Sequence, residues 1–249
     1  MSDDAENGWD QDWWKKERDI SHERRLAEAE SVREVSPGDS FLIVTEGTVT
    51  EPVYFECFLE ALELSRAKVI VIPGKKSDPK HVITTAKDTA DRQITRHRKG
   101  QLGIREPAKF DHVWAVIDTD VAVCEGIWNE VQELAATKNV KLAHSTPCFE
   151  YWLLLHIGYT TRGDLVDGDA AKKAFAQTLG MDYSTNEGTA RKAMAKVIDK
   201  WPRAVTFAEQ ARQHHLQAST PSPANPSTEV DRLVRALNDS APKYLRQLK

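Results

Sequence analysis

Short, fully apolar runs alternate with longer segments of helical periodicity along most of this chain. Phe41-Leu42-Ile43-Val44 contains no polar residue, as a strand buried on both faces requires. The next segment, 51–64, places Tyr54, Phe55, Phe58, Leu59 and Leu62 on one helical stripe. Val69-Ile70-Val71-Ile72 predicts a second buried strand, closed by Pro73-Gly74. Residues 78–99 predict a long helix, with Pro79 in its first turn and Arg96, His97, Arg98 and Lys99 at its end. A third strand at 112–117 runs into Asp118-Thr119-Asp120, followed by a helix at 125–138, a strand at 140–144 and an apolar helix at 149–157. This alternation predicts an α/β fold with a mostly parallel sheet flanked by helices, the core spanning 39–160.

The flanks follow another pattern. Residues 1–38 predict a helical N-terminal arm: Trp9, Trp13 and Trp14 precede a highly charged stretch at 15–34, which ends in the turn signal Ser36-Pro37-Gly38. Those tryptophans suit docking either on the body of the protein or on a partner. Residues 161–249 predict a mostly helical C-terminal extension. Its helices fall at 170–179, 188–201 and 202–216, followed by an exposed Pro/Ser/Thr-rich connection at 218–227. A closing helix at 228–237 carries Val230, Leu233, Val234 and Leu237 on one side.

Composition narrows the class. With 249 residues, 40% hydrophobic and 29% charged, the chain can bury one sizeable core and shows no sign of wholesale disorder. No apolar run reaches membrane-spanning length, and the acidic first ten residues lack an apolar signal segment. Three widely separated cysteines, Cys57, Cys124 and Cys148, fit reduced thiols and give no zinc spacing. The expectation is a cytoplasmic protein with no membrane partner. The formal net charge of −4 hides an asymmetry: residues 66–109 carry twelve Lys/Arg against four Asp/Glu. A segregated basic stretch suits a polyanion partner or a solvated helix face, and Lys75, Lys76 and Lys80 lie nearest in sequence to a strand end.

Candidate chemistry gathers where strands end. Ligands of an α/β sheet sit beyond the carboxyl ends of its strands. The first strand runs into Thr45-Glu46-Gly47 and the third into Asp118-Thr119-Asp120. In an extended Asp-x-Asp segment both carboxylates point to one side. Glu46, Asp118 and Asp120 converging at one sheet edge would repel one another unless a cation neutralised them, and hard oxygen donors select Mg²⁺ or Mn²⁺. Taken alone, Asp-x-Asp also serves simply to open a turn and cap a helix.

An apolar strand ending in Glu46-Gly47, followed by a later strand ending in Asp118-x-Asp120, resembles the Toprim pattern. Glu46-Gly47-Thr48-Val49-Thr50-Glu51-Pro52-x-Tyr54-Phe55 resembles more specifically the signature of the RloB-like family. So do Ser145-Thr146-Pro147-Cys148-Phe149-Glu150-x-Trp152-Leu153-Leu154-Leu155-His156 and Asn225-Pro226-Ser227-Thr228-x-Val230. Thr146 stands where that family often has Asn. The resemblance covers about 39–240 and implies a Toprim fold acting on phosphodiesters, the Asp pair holding a divalent metal and Glu46 serving as ligand or general acid/base. It also implies a place in phage-defence or restriction-associated loci, with an ABC-type ATPase as partner. By their place in the motif, Glu150 and His156 join the catalytic candidates. The plainer readings are an acid at a helix N-terminus and a satisfied core histidine.

The expected reaction is metal-dependent nuclease hydrolysis of DNA or RNA, tRNA included. A topoisomerase needs a nucleophilic tyrosine on a large separate domain, and a bacterial-type primase brings a zinc module; the sequence offers neither. A haloacid-dehalogenase-type phosphatase wants Thr or Val where Ala122 stands, and it leaves Glu46-Gly47 unexplained, as does a glycosyltransferase Asp-x-Asp. The alternative from another class is a non-catalytic Toprim-like module that binds nucleic acid or an ATPase.

Overall fold

The computed structural model describes residues 38–64, 69–74, 78–184 and 186–248. The N-terminal arm with its three tryptophans, together with Lys75 and Lys76, lies outside the described residues. Gly38–Lys249 forms one compact unit.

Five strands form one sheet in the order β2-β1-β3-β4-β5, with β1 Phe41–Thr45, β2 Val69–Pro73, β3 His112–Asp118, β4 Lys141–Thr146 and β5 Ser227–Thr228. The first four are parallel, and β5 runs antiparallel to β4. The expected α/β, Toprim-like sheet flanked by helices is therefore present. Side chains alternate across a strand, so the apolar run of β1 feeds two cores. Phe41 and Ile43 join Tyr54, Phe58, Trp152, Trp201 and Leu233 on one side. Leu42 and Val44 join Val82, Ile83, Trp128 and Val131 on the other. Burial of each such large apolar side chain stabilises the fold by about 1.5–3 kcal/mol.

The helices are α1 Thr50–Ala61, α2 Pro79–Arg98, α3 Asp120–Cys124, α4 Trp128–Lys138, α5 Phe149–Ile157, α6 Gly168–Leu179, α7 Glu187–Val197, α8 Trp201–Gln217 and α9 Val230–Ser240. A 3₁₀ turn, Ile198–Lys200, links α7 to α8. The start of α2 is set by Asp78, whose carboxylate accepts from the Lys80 amide, with Pro79 directly after it. Asn139 ends α4 in the left-handed region, φ 53°. Among the described residues no helix is long and apolar enough to cross a membrane.

Two sequence expectations change here. The connection at 218–227 is exposed only in its first part. Pro226, Ser227 and Thr228 are buried, and the last two are β5 itself. A two-residue strand has no periodicity to read. Polar pairing makes it: Ser145 Oγ meets Thr228 Oγ1 at 2.9 Å, and the Glu229 amide donates to the His144 carbonyl. Arg212 on α8 then bonds both carboxylate oxygens of Asp231 on α9, at 2.6 and 2.8 Å. Second, Asp118-Thr119-Asp120 is not extended. Thr119 has helical backbone (φ −103°, ψ −9°), so Asp118 ends β3 while Asp120 already opens α3.

Candidate acidic centre at the sheet edge

The site is built on the turn after β1. The Glu46 amide donates to the Val116 carbonyl at 2.9 Å, extending the β1–β3 ladder by one step. Its side chain then crosses to β3, where Oε2 accepts from the Asp118 amide at 3.2 Å. The Gly47 amide donates to Glu51 Oε1 at 2.9 Å, and a Cβ at Gly47 would stand 2.0 Å from Glu51 Oε2. A side chain at 47 would therefore displace the Glu51 carboxylate from the turn. The end of β2 closes in as well: the Gly74 amide bonds the Thr45 carbonyl at 2.6 Å, leaving no room for a Cβ at 74.

Asp118 lies partly buried at the end of β3. Its successor is fixed to β4, since the Thr119 amide donates to the Ser145 carbonyl and the Thr119 hydroxyl to Thr146 Oγ1 at 2.7 Å. Glu150, 3% exposed in the first turn of α5, accepts from the Cys148 thiol at 3.0 Å and from the Tyr183 hydroxyl at 3.0 Å. Thr50 supplies Tyr183 with a hydrogen bond in turn, at 2.9 Å.

These acids sense one another. Burial pushes Glu46 up to about 7, against the pull of the Asp118 amide, with the charges of Glu51, Asp120 and Asp78 raising it further. Burial likewise lifts Glu51 to about 7; the backbone amides of Glu51 and Gly47 and the charge of Lys172 oppose, while Glu150 adds to the rise. Burial and then the charges of Glu51, Glu150, Glu46 and Asp120 hold Asp118 well above the usual carboxylate range. Lys172 on α6 answers this field. Burial opposes its charge, yet Glu150, Cys148, Asp118 and Asp169 raise it above the ordinary lysine value.

Of the sequence candidates, Glu46, Asp118, Asp120 and Glu150 belong to this electrostatic cluster. His156 does not. It is fully buried, with Nδ1 against the Trp152 carbonyl at 3.0 Å and Nε2 against the Tyr54 hydroxyl at 3.3 Å. Burial pushes it down to about 3, so it is a neutral core histidine. Six residues along a helix carry it off the face of Glu150. Lys80 is also elsewhere, in an ion pair with Glu130. Two more cations of the basic stretch are spent in the same way: Lys87 pairs with Asp91 and Arg96 with Glu106. The sequence shows Glu51 only as an acid of the shared motif in the first turn of a helix, suited to support the site, and gives no role to Cys148, Lys172 or Tyr183. Glu51 had a signal, four residues after Gly47 inside the same motif; Lys172 and Tyr183 arrive from the C-terminal half with none.

The donor set is made of hard carboxylate oxygens carrying excess negative charge, which fits Mg²⁺ or Mn²⁺ in chemistry. Among the described residues no three His, Cys, Asp or Glu side chains already stand at ligating spacing. The hydrogen bonds say why: Glu46 is turned onto the Asp118 amide, Asp120 onto its neighbour Val121 at 2.7 Å, and Glu150 onto Cys148 and Tyr183. No donor among the described residues reaches the carboxylate of Asp118.

A family model described as RloB-like protein matches residues 41–237. The chain belongs to the RloB-like family. No curated protein and no solved structure matches it. The match takes in each motif of the RloB-like signature, from β1 to the first residues of α9. In this RloB-like chain those motifs meet in space. The Glu46-Gly47 turn, the start of α5 and β5 are all joined through β3 and β4.

Proposed function

We propose that this RloB-like protein is a metal-dependent nuclease that hydrolyses phosphodiester bonds of nucleic acid, DNA or RNA (tRNA included), in anti-phage defence. One observation carries the reading: Glu46, Glu51, Asp118 and Glu150 are gathered beyond the carboxyl ends of β1 and β3, with too little positive charge among the described residues to balance them. A divalent cation, Mg²⁺ or Mn²⁺, would supply Lewis-acid stabilisation of a phosphate oxygen and orientation of water there. Asp118 and Asp120 are the residues to hold it, with Glu46 completing the set. Standing off the cation instead, Glu46 would take a proton from attacking water or return one to the leaving oxygen. Lys172 lends positive charge to the same region, where charge on a phosphoryl group develops. Tyr183 and Cys148 orient Glu150, and Glu51 holds the turn that carries Glu46.

The second reading, a non-catalytic module that binds nucleic acid or an ABC-type ATPase, draws support from the acids being bonded to protein donors. One assay separates the two. The purified chain is incubated with tRNA, single-stranded RNA and plasmid DNA, with Mg²⁺ or Mn²⁺, alone and with an ATPase encoded beside it. Cleavage that falls at least about a hundredfold in Asp118→Asn and Glu46→Gln supports the nuclease. Binding without cleavage under every condition, unchanged by those substitutions, sinks it.

A further inference from the structure

The acidic centre has a neighbour. A cleft of about 520 Å³ opens beside Asp120, between α3, the Thr146-Pro147 turn, the residues just before α6 and the segment leading to β5. Its volume falls in the range of sites for small organic groups. Its walls are apolar where a surface is ordinarily polar: Val121, Val123 and Val166 are 38%, 47% and 65% exposed, and Pro147 and Pro223 line it as well. The segments are fastened together at the rim, where the Asn225 amide donates to the Val166 carbonyl at 3.3 Å. At the Asp120 side, the start of α6 packs so closely that a Cβ on Gly168 would lie 3.5 Å from Asp120 Oδ2.

The charged groups lining this cleft are Asp120, Glu125 and Asp167; no Lys or Arg is among them. A phosphate is therefore unwelcome inside it, whereas an uncharged group with an apolar face and N–H edges is well received. Asp167 uses Oδ1 to cap α6, accepting from the Ala170 amide at 2.8 Å, and its second oxygen accepts nothing from the described residues. A neutral group with an apolar face and N–H donors, tethered to a phosphate that a cation would hold beside Asp120, is a nucleobase. A base inside a duplex is stacked and paired, and enters such a cleft only once out of the stack.

We propose that the cleft beside Asp120 receives an unpaired nucleobase next to the phosphate held at the acidic centre, so that the chain selects single-stranded or looped nucleic acid over duplex. This rests on the nuclease reading for its phosphate but makes a separate claim about binding. The test is equilibrium binding to the full chain, with Ca²⁺ in place of Mg²⁺, of three fluorescent probes: a single strand, the same strand in a duplex, and a strand lacking its bases. The single strand is expected to bind about tenfold tighter than either other probe, the scale of one or two base contacts. Val123→Ser with Val166→Ser, both at exposed positions, removes that preference and leaves the unfolding temperature unchanged. Equal binding of all three probes overturns the proposal, as does an unchanged preference in the double variant. A free nucleoside monophosphate that binds as tightly as the strand also overturns it, in favour of a small-molecule site. If the preference holds while Mg²⁺ or Mn²⁺ supports no cleavage, the base site stands and hydrolysis falls.

Discussion

The buried carboxylate in the first turn of α9 and the buried carboxylates around the ends of β1 and β3 are treated in opposite ways. Asp231, 1% exposed, is met by both terminal nitrogens of Arg212, with Arg235 4.0 Å away. That pairing is bidentate and complete, and it fastens α8 to α9 and β5. Glu46, Glu51 and Glu150, 8%, 5% and 3% exposed, share their region with Asp118 and, among the described residues, are balanced by backbone amides, Tyr183, Cys148 and the charge of Lys172. An acid that serves the fold receives a partner, whereas acids left to repel each other in a buried edge cost stability, and the proposed cation would offset that cost.

Removing a partner gives the largest expected effect. Arg212→Met strands Asp231 without its guanidinium, and unfolding in urea should show a loss of about 3–5 kcal/mol. The companion Arg212→Met with Asp231→Leu should recover most of that, since a well-packed apolar pair replaces a buried ion pair at little cost. Recovery failing while each single variant is mild would mean that the pair is not the fastening the geometry suggests.

Next in size is pH. Glu46 and Glu51 titrate near 7 in the fold and at 4.5 when free, so the folded state binds their protons more tightly. Their contribution to stability is complete below pH 4.5 and is lost as pH rises through 7. A tenfold difference in proton affinity between folded and unfolded chain is worth about 1.4 kcal/mol. Metal-free protein should therefore lose up to about 3 kcal/mol over that window, the two groups sharing one loss rather than adding. Mg²⁺ or Mn²⁺ should restore it at pH 8 and do little at pH 5, which calorimetric melting with and without EDTA reads directly. His156 works the other way: held down to about 3 against 6.5, it contributes above 6.5, and that is lost as pH falls towards 3. A melting temperature that is flat from pH 5 to 8 without metal would remove the distinction between the two groups of acids.

How much of this was legible in the sequence depends on what made each part. β1, β2 and β3 were readable as apolar runs and β4 from its place after a helix in the β–α alternation, and the acids at the ends of β1 and β3 follow from strand polarity. β5 was not, because two residues held by hydroxyl pairing and a neighbouring ion pair leave no hydropathy signal. Asp118 and Asp120 were found, but their geometry was misjudged. Whether Asp-x-Asp is extended depends on the backbone of Thr119, which its hydrogen bonds to Ser145 and Thr146 decide. His156 was placed among the catalytic residues by its motif, and its burial between Tyr54 and Trp152 shows why a motif position alone does not assign a role. Lys172 and Tyr183 reach the centre from 54 and 65 residues beyond Asp118 through the packing of α6 on α5, a distance no local pattern spans.

The smallest effect is the sharpest discriminator, because its sign differs between the two regions. Asp118→Asn removes one charge from a cluster that repels it while keeping the size and shape of the side chain. Metal-free stability at pH 8 should therefore rise by about 1 kcal/mol, and Mg²⁺ should no longer raise it further. Asp231→Asn, the same chemical change, breaks a charge-assisted bidentate pair and should lower stability by about 1–3 kcal/mol. The two variants are also expected to part in activity, Asp118→Asn losing cleavage while Asp231→Asn keeps it at temperatures where it remains folded. If Asp118→Asn were instead destabilising by as much as Asp231→Asn, the acids at the sheet edge would be structural, and the metal site built on their repulsion would lose its physical basis.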